Sequence, residues 1–266
     1  MILRSITKHV RDQNWFAVAL DFIIVVLGVG MALAAGEWLN ARAQKADLAV
    51  ARLAIDEDLA VVYSSALERL AVRQCRIEQV QSIAKKLRNT DEPWAGVHAR
   101  TAAQSSITGS LDGIIRSPFR LWPSGAWEAA KARGLLNHME PDQRRALENA
   151  FFVTPIAIST QNTIFNKQSQ LKALSLAIDL TPSDRLRYYD VLAEVDAASA
   201  LLESGSEFTV TFMETAFVEI APATLAAFHD DLREINAEGA TGYGECFEPI
   251  TLPNVDLTPA SLEREP

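Results

Sequence analysis

The sequence predicts an all-α protein, and three observations support this fold class. The first is an apolar run over residues 15–38, WFAVALDFIIVVLGVGMALAAGEW, close to the roughly 20 residues that a helix needs to cross hydrocarbon. The second is the chain between Gly36 and Pro93, which contains neither glycine nor proline and is rich in helix formers. The third is the lack of sustained strand-type alternation anywhere in the sequence.

The apolar run predicts a single transmembrane helix at residues 15–38. Trp15 and Trp38 would lie about 34 Å apart along this helix, which makes them candidate anchors at the two membrane interfaces. The basic residues Arg4, Lys8 and Arg11 fall in the short tail 1–14. Because a short charged tail is harder to translocate than a long domain, we expect this tail in the cytoplasm and the rest of the chain exported. A cleavable signal peptide is the alternative interpretation of the same pattern.

One face of the predicted span carries candidate functional residues. Gly28, Ala32 and Gly36 recur every four residues, a spacing typical of faces where transmembrane helices pack closely. Asp21 lies on nearly the same face, about 9 Å in from Trp15, where a carboxylate is costly unless it is neutral, paired or in reach of interfacial water. Asp21 would therefore face a partner helix or the headgroups, or alternatively relay protons. We expect the lipid bilayer as surroundings and a second copy or another membrane protein as partner.

Beyond the span, the sequence predicts a helical bundle over residues 39–238 and an irregular tail over 239–266. The apolar stripe of the first long helix is interrupted at Arg73 and Gln74. Thr181-Pro182-Ser183-Asp184 is a strong helix-start signal, with threonine as the cap and proline at the first helical position. The expected helices are a long one that continues from the span without a break and ends before Pro93; a short one at 97–106; 126–133, closed by Gly134; 141–152; 156–179; 182–203, stopped by Gly205; and 207–237, kinked or broken at Pro222.

Cys75 and Cys246 are the only cysteines in the 266 residues. An even cysteine count in an exported domain favours a disulfide, here one that closes a very long loop. The alternative is two free thiols, one of which simply packs in the bundle.

The sequence shows no recognisable catalytic or metal-binding motif. Ser82-x-x-Lys85 and Ser169-x-x-Lys172 match one element of serine β-lactamases, but the companion elements are missing. His229-Asp230-Asp231 lacks a second ligand pair at metal-site spacing, so a solvated acidic face is the simpler interpretation. The formal net charge of −9 argues against nucleic acid as a partner. We therefore expect no catalytic residues, no metal and no cofactor.

The run from His9 to Arg42 resembles the opening of an uncharacterised family of bacterial single-pass inner-membrane proteins. The matching features are Asn14-Trp15, Asp21, the Val25-Val26-Leu27-Gly28-Val29 core and the exit Trp38-Leu39-Asn40-Ala41-Arg42, whose spacing departs from the family pattern. Residues 126–134 and 144–147 echo the family more loosely. The resemblance implies a bacterial inner-membrane location, which with the tail in the cytoplasm puts the domain after the span in the periplasm, and it implies no particular activity.

Two hypotheses of different class follow. The first is a non-catalytic, membrane-anchored helical module that binds a partner or scaffolds an envelope complex. The second is a transport-coupled, stator-like subunit that uses Asp21, although the exported domains of such proteins contain sheets, which this sequence does not predict. An exported enzyme of unrecognised type is a third, weaker alternative.

Overall fold

The computed structural model describes residues 15–97, 114–115, 117–216, 220 and 222–251. All regular elements in these residues are helices, so the all-α prediction is confirmed. The α-helices are α1 (Trp15–Ala71), α2 (Arg73–Arg88), α3 (Gly125–Ala132), α4 (Pro141–Phe152), α5 (Thr154–Gln170), α6 (Pro182–Ala216) and α7 (Pro222–Tyr243), and short 3-10 turns cover Leu135–His138, Lys172–Ser175 and Gly244–Cys246. The predicted helix at 97–106 lies, after Val97, outside the described residues.

The chain divides into two compact units, Met1–Val50 and Ala51–Pro266. In the first unit the described chain is helical throughout and is predominantly exposed, including the large apolar side chains from Leu20 to Leu33. The second unit holds the core, whose fully buried large side chains come from several helices: Ile55, Leu59, Ile83, Leu147, Leu171, Leu174, Leu192, Leu202, Met213, Phe228 and Leu232.

Helix α6 is the central element of the second unit, where it packs against α2, α4 and α5. The predicted cap at its start is present: the Asp184 amide donates to Thr181 Oγ1 over 3.1 Å, and the Thr181 amide donates to Asp184 Oδ2 over 3.2 Å. The predicted stop at Gly205 is wrong, since α6 continues to Ala216. A Cβ at Gly205 would lie 2.7 Å from Val153 Cγ1, so this glycine permits close helix packing.

The uninterrupted helix predicted up to Pro93 is wrong in two places. It breaks at Val72, between α1 and α2, and α2 ends at Arg88. At the break, the carbonyl of Ala71 accepts a hydrogen bond of 3.0 Å from the amide of Glu248, a residue remote in sequence. Beyond Arg88, the buried Arg185 guanidinium donates to the carbonyls of Lys86, Asn89 and Glu92, at 3.0, 2.8 and 2.7 Å. Tertiary partners therefore satisfy backbone groups that a longer helix would have paired internally.

The helix predicted at 156–179 ends earlier, at Gln170, for a similar reason. Residues 94–97 pair with the segment that follows Gln170. The indole of Trp94 donates to the Leu174 carbonyl over 2.9 Å, and Ile178 forms an isolated antiparallel bridge with Trp94. Leu171 and Leu174, which follow the end of α5, are buried. Ile178 is half-buried in the bridge.

The end of the bundle also differs from the prediction. The break before Pro222 is present, because Ile220 is not helical and α7 begins at Pro222. However, α7 runs through Gly239 to Tyr243, so the first residues of the predicted irregular tail are helical. Gly239 lies at a close approach, since a Cβ there would meet the ring of Phe247 at 2.3 Å. Helices α3 and α4 agree with the predicted 126–133 and 141–152 to within one residue, and Gly134 is left-handed with φ of 72°.

Candidate functional site

The predicted membrane-facing residues all lie on α1. Asp21, Gly28 and Ala32 are exposed and Gly36 is half-buried. A Cβ at Gly28 or Gly36 would meet nothing within 4 Å, so the small-residue face is open along its length. In the described residues, one helix is long and apolar enough to cross a membrane, and none of its most apolar 18-residue window is buried. A core helix of a soluble domain would have buried that window.

The two predicted interfacial anchors lie on the same helix. Trp15 lies in α1, where the described residues begin. Trp38 is 60% exposed, and the guanidinium carbon of Arg42 lies 5.7 Å from the centre of its ring, within the range of a cation–π contact. An exposed tryptophan with a basic neighbour is typical of the boundary between hydrocarbon and water.

Cys75 and Cys246 are joined by a disulfide, with their Cα atoms 5.0 Å apart. The bridge ties the first turn of α2 to the segment after α7, which we call the strap and define as residues Gly244–Ile250. Cys75 is buried, with 2% exposure, whereas Cys246 is half-buried. Sequence reasoning selected this pair, and the structure adds what the bridge holds in place.

Non-covalent contacts seat the strap as well. The side chain of Asn236 pairs with the backbone of Ile250 in both directions, at 2.9 and 2.8 Å. Phe247 is buried against Ala71 and Val72, at the break between α1 and α2. The Phe247 side chain of the strap therefore covers the break, and the Glu248 amide donates a hydrogen bond to the Ala71 carbonyl.

A cavity of about 450 Å³ lies beside the disulfide. Both cysteines contribute to its wall, together with the exposed Ser82 and Lys86 of α2 and the half-buried Tyr243 of α7. The bridge therefore faces a space large enough to admit a small molecule.

A buried ion-pair network links α2 to α6. Arg76 donates from Nη2 to Glu203 Oε2 over 2.9 Å and from Nε to Oε1 over 2.5 Å, and it also pairs with Asp196. Arg73 contacts Glu203 at 3.6 Å and Glu207 at 2.7 Å. Burial alone would lower the pKa of Arg76, but the hydrogen bonds and charges of Glu203 and Asp196 outweigh it, so that the pKa is raised. The interruption of the apolar stripe at Arg73 was the signal for this network.

A second buried arginine lies one turn before the break. Arg69 donates to Ser117 Oγ and to the Pro118 carbonyl. Burial lowers the pKa of Arg69 to about 10, against smaller opposing effects of nearby acidic groups. Its hydrogen bonds attach the segment around Pro118 to α1.

An apolar groove of about 530 Å³ lies between α1 and α7, where Tyr63 stacks on Phe228 with ring centres 5.2 Å apart. Arg120 lies at the groove and donates from Nη2 to Glu68 Oε1 over 3.2 Å. The pKa of Arg120 is raised above its ordinary value, mainly because its guanidinium donates a hydrogen bond to the Glu68 carboxylate. The groove walls come from separate parts of the chain, which sequence reasoning did not bring together.

The weaker sequence motifs do not form a recognisable site. Within the described residues, no group of three or more histidine, cysteine and acidic side chains could hold a metal ion. Asp230 pairs with Arg233 at 2.5 Å. Ser82 and Ser169 lie exposed on different helices, α2 and α5, as expected for chance matches on helix surfaces.

Comparison of the chain with family models, with curated proteins and with solved structures finds no match.

Proposed function

We propose that this protein is a membrane-anchored, non-catalytic helical module that binds a partner or scaffolds an envelope complex. The observation that carries the proposal is the exposure of the apolar part of α1. From Leu20 to Leu33 its large apolar side chains are at least 47% exposed. Leaving such side chains in water costs roughly 1.5 to 3 kcal/mol each, whereas lipid tails surround them at no such cost.

The disulfide supports an extracytoplasmic position for the second unit. Structural disulfides persist in oxidising compartments such as the periplasm and are rare in the cytosol. With the basic tail 1–14 inside, the chain would cross the inner membrane once. Labelling of a Ser169→Cys variant in intact cells with a membrane-impermeant maleimide tests this topology, because Ser169 is exposed on α5. Labelling only after cell lysis would contradict it.

The open small-residue face of α1 supports binding of a partner helix within the membrane. With no contact from the chain itself at Gly28 or Gly36, a partner helix could approach the backbone of α1 closely. The partner would be a second copy or another membrane protein. The proton-relay hypothesis for Asp21 stays a prediction, and unchanged function of an Asp21→Asn variant would dismiss it.

The charged groups whose pKa values are shifted make structural contacts, which supports a non-catalytic role. Arg69 and Arg76 make their hydrogen bonds to groups of the bundle itself, and Asp184, in the first turn of α6, forms the reciprocal cap hydrogen bonds with Thr181. Each of these groups therefore has a structural use that accounts for its surroundings.

Site-specific photocrosslinking in native membranes tests the proposal. A photoreactive residue at Ala32 reports on the small-residue face, and one at Ala34 is the matched control, at nearly the same depth but about 160° around the helix. We expect a discrete crosslinked product from Ala32 and much less from Ala34. Equal products from both positions, or none from Ala32, would count against a specific partner. Release of the intact chain by alkaline carbonate would overturn the membrane anchor itself.

A further inference from the structure

The Cys75–Cys246 disulfide has features that a purely structural cross-link does not require. Its two cysteines differ in exposure, because Cys75 is 2% exposed on α2 and Cys246 is half-buried on a short 3-10 turn. Both residues line the 450 Å³ cavity that contains the exposed Ser82 and Lys86. Thiol–disulfide exchange requires that an attacking thiolate reach one sulfur, and access determines which sulfur it attacks.

Non-covalent contacts of the strap allow the disulfide to form again after it is reduced. The Asn236–Ile250 pair, the Glu248–Ala71 hydrogen bond and the buried Phe247 do not involve sulfur. These contacts keep the two cysteines close after reduction, which gives them a high effective concentration for closing the bridge again. Opening therefore need not unfold the bundle.

From these observations we infer that Cys75–Cys246 is a reversible thiol–disulfide exchange site, at which a dithiol partner attacks Cys246 from the cavity. In the first step the partner thiolate bonds to Cys246 Sγ, the Cys75–Cys246 bond breaks and Cys75 leaves as a thiolate. In the second step the other partner thiol attacks the mixed disulfide and releases Cys246. The partner is oxidised to its disulfide, the bridge is reduced to two cysteines, and the two protons of the partner thiols end on Cys75 and Cys246.

The first step is tested on the intact, oxidised chain in detergent micelles, with reduced glutathione as the thiol probe. The reaction is quenched with iodoacetamide and mapped by mass spectrometry. We expect glutathione on Cys246 and the carbamidomethyl group on Cys75, without denaturant. Reaction only after denaturant is added, or glutathione on Cys75 to an equal or greater extent, would overturn the assignment.

Two tryptophan substitutions test the route through the cavity. Ser82→Trp places a bulky ring in the cavity wall, and Gln81→Trp is the matched control, because Gln81 is the adjacent exposed residue of α2 and is not part of that wall. We expect Ser82→Trp to slow exchange by about tenfold, which corresponds to 1.4 kcal/mol, and Gln81→Trp to leave the rate unchanged. Equal rates for the two variants would refute the cavity route. These results do not depend on the membrane anchor, so the two proposals can fail independently.

Discussion

Replacing Glu203 with glutamine should strongly destabilise the bundle. The side chains of Arg76 and Glu203 are 4% and 6% exposed, so the variant leaves a guanidinium charge deep in the structure without its main counter-charge. Glutamine has nearly the same volume as glutamate, so the change removes the charge without opening a cavity. Removing one partner of a buried ion pair costs about 3 to 5 kcal/mol. Because Arg76 keeps Asp196, which is 49% exposed, we expect the lower end, about 3 kcal/mol.

The matched control is Glu207→Gln, about one turn further along α6. Glu207 is 55% exposed and pairs with Arg73, so its loss should cost about 1 kcal/mol or less. A double variant, Arg76→Met with Glu203→Leu, should recover much of the stability, because apolar side chains can replace a buried ion pair at little or no cost.

Urea unfolding of the full chain in mild detergent measures these differences. Trp94, Trp122 and Trp127 are each 4% exposed, so their fluorescence reports on the second unit, whereas Trp38 is already exposed. A free energy of unfolding of Glu203→Gln within about 1 kcal/mol of the wild-type value would contradict the predicted cost of the unpaired Arg76 charge. An equally large loss of free energy of unfolding in the Glu207→Gln control would contradict it as well.

Two further predictions concern α6. Gly205→Ala should lower the free energy of unfolding by about 1 to 3 kcal/mol, because the new Cβ would crowd Val153 Cγ1, 2.7 Å away. In a double-mutant cycle with Val153→Ala, the coupling free energy between the two substitutions should exceed about 0.5 kcal/mol. Additive effects of the two substitutions would contradict the close approach. The hydrogen bonds from Thr181 lower the pKa of the Asp184 carboxyl below its ordinary value of 3.8, so the stabilisation they provide is present above pH 3.8 and is lost as the pH falls through the lower, folded-state pKa. An NMR titration of Asp184 should show this midpoint below 3.8 and a higher one in Thr181→Ala, and a wild-type midpoint at or above 3.8 would contradict it.

Elements with local causes were predictable from the sequence. The cap at Thr181 forms from residues three apart, and Gly134 ends a short helix by its own left-handed backbone. The cysteine pair was a candidate because the chain has only these two cysteines. The groove between α1 and α7 was not predictable, because its walls come from segments far apart in the chain whose contacts leave no local pattern.

The two misread glycines show where local reasoning fails. Gly205 was expected to stop a helix and Gly239 to lie in the irregular tail, since glycine is a poor helix former. Both lie inside helices. A glycine is needed at each position because a side chain from elsewhere occupies the space that a Cβ would take, Val153 at Gly205 and Phe247 at Gly239. The requirement for a glycine came from the packing partner and not from the backbone of the helix.

The sequence by itself determined the apolar helix, the helical class and several helix boundaries, because hydrophobicity, capping and backbone preference act over a few neighbouring residues. Only the tertiary structure decided that the long helix breaks at Val72. No residue between Gly36 and Pro93 is a strong helix breaker, yet the strap supplies the hydrogen bond to Ala71 and buries Phe247 against the break. A contact between residues more than 170 positions apart in the chain thus overrides a local preference for continuous helix.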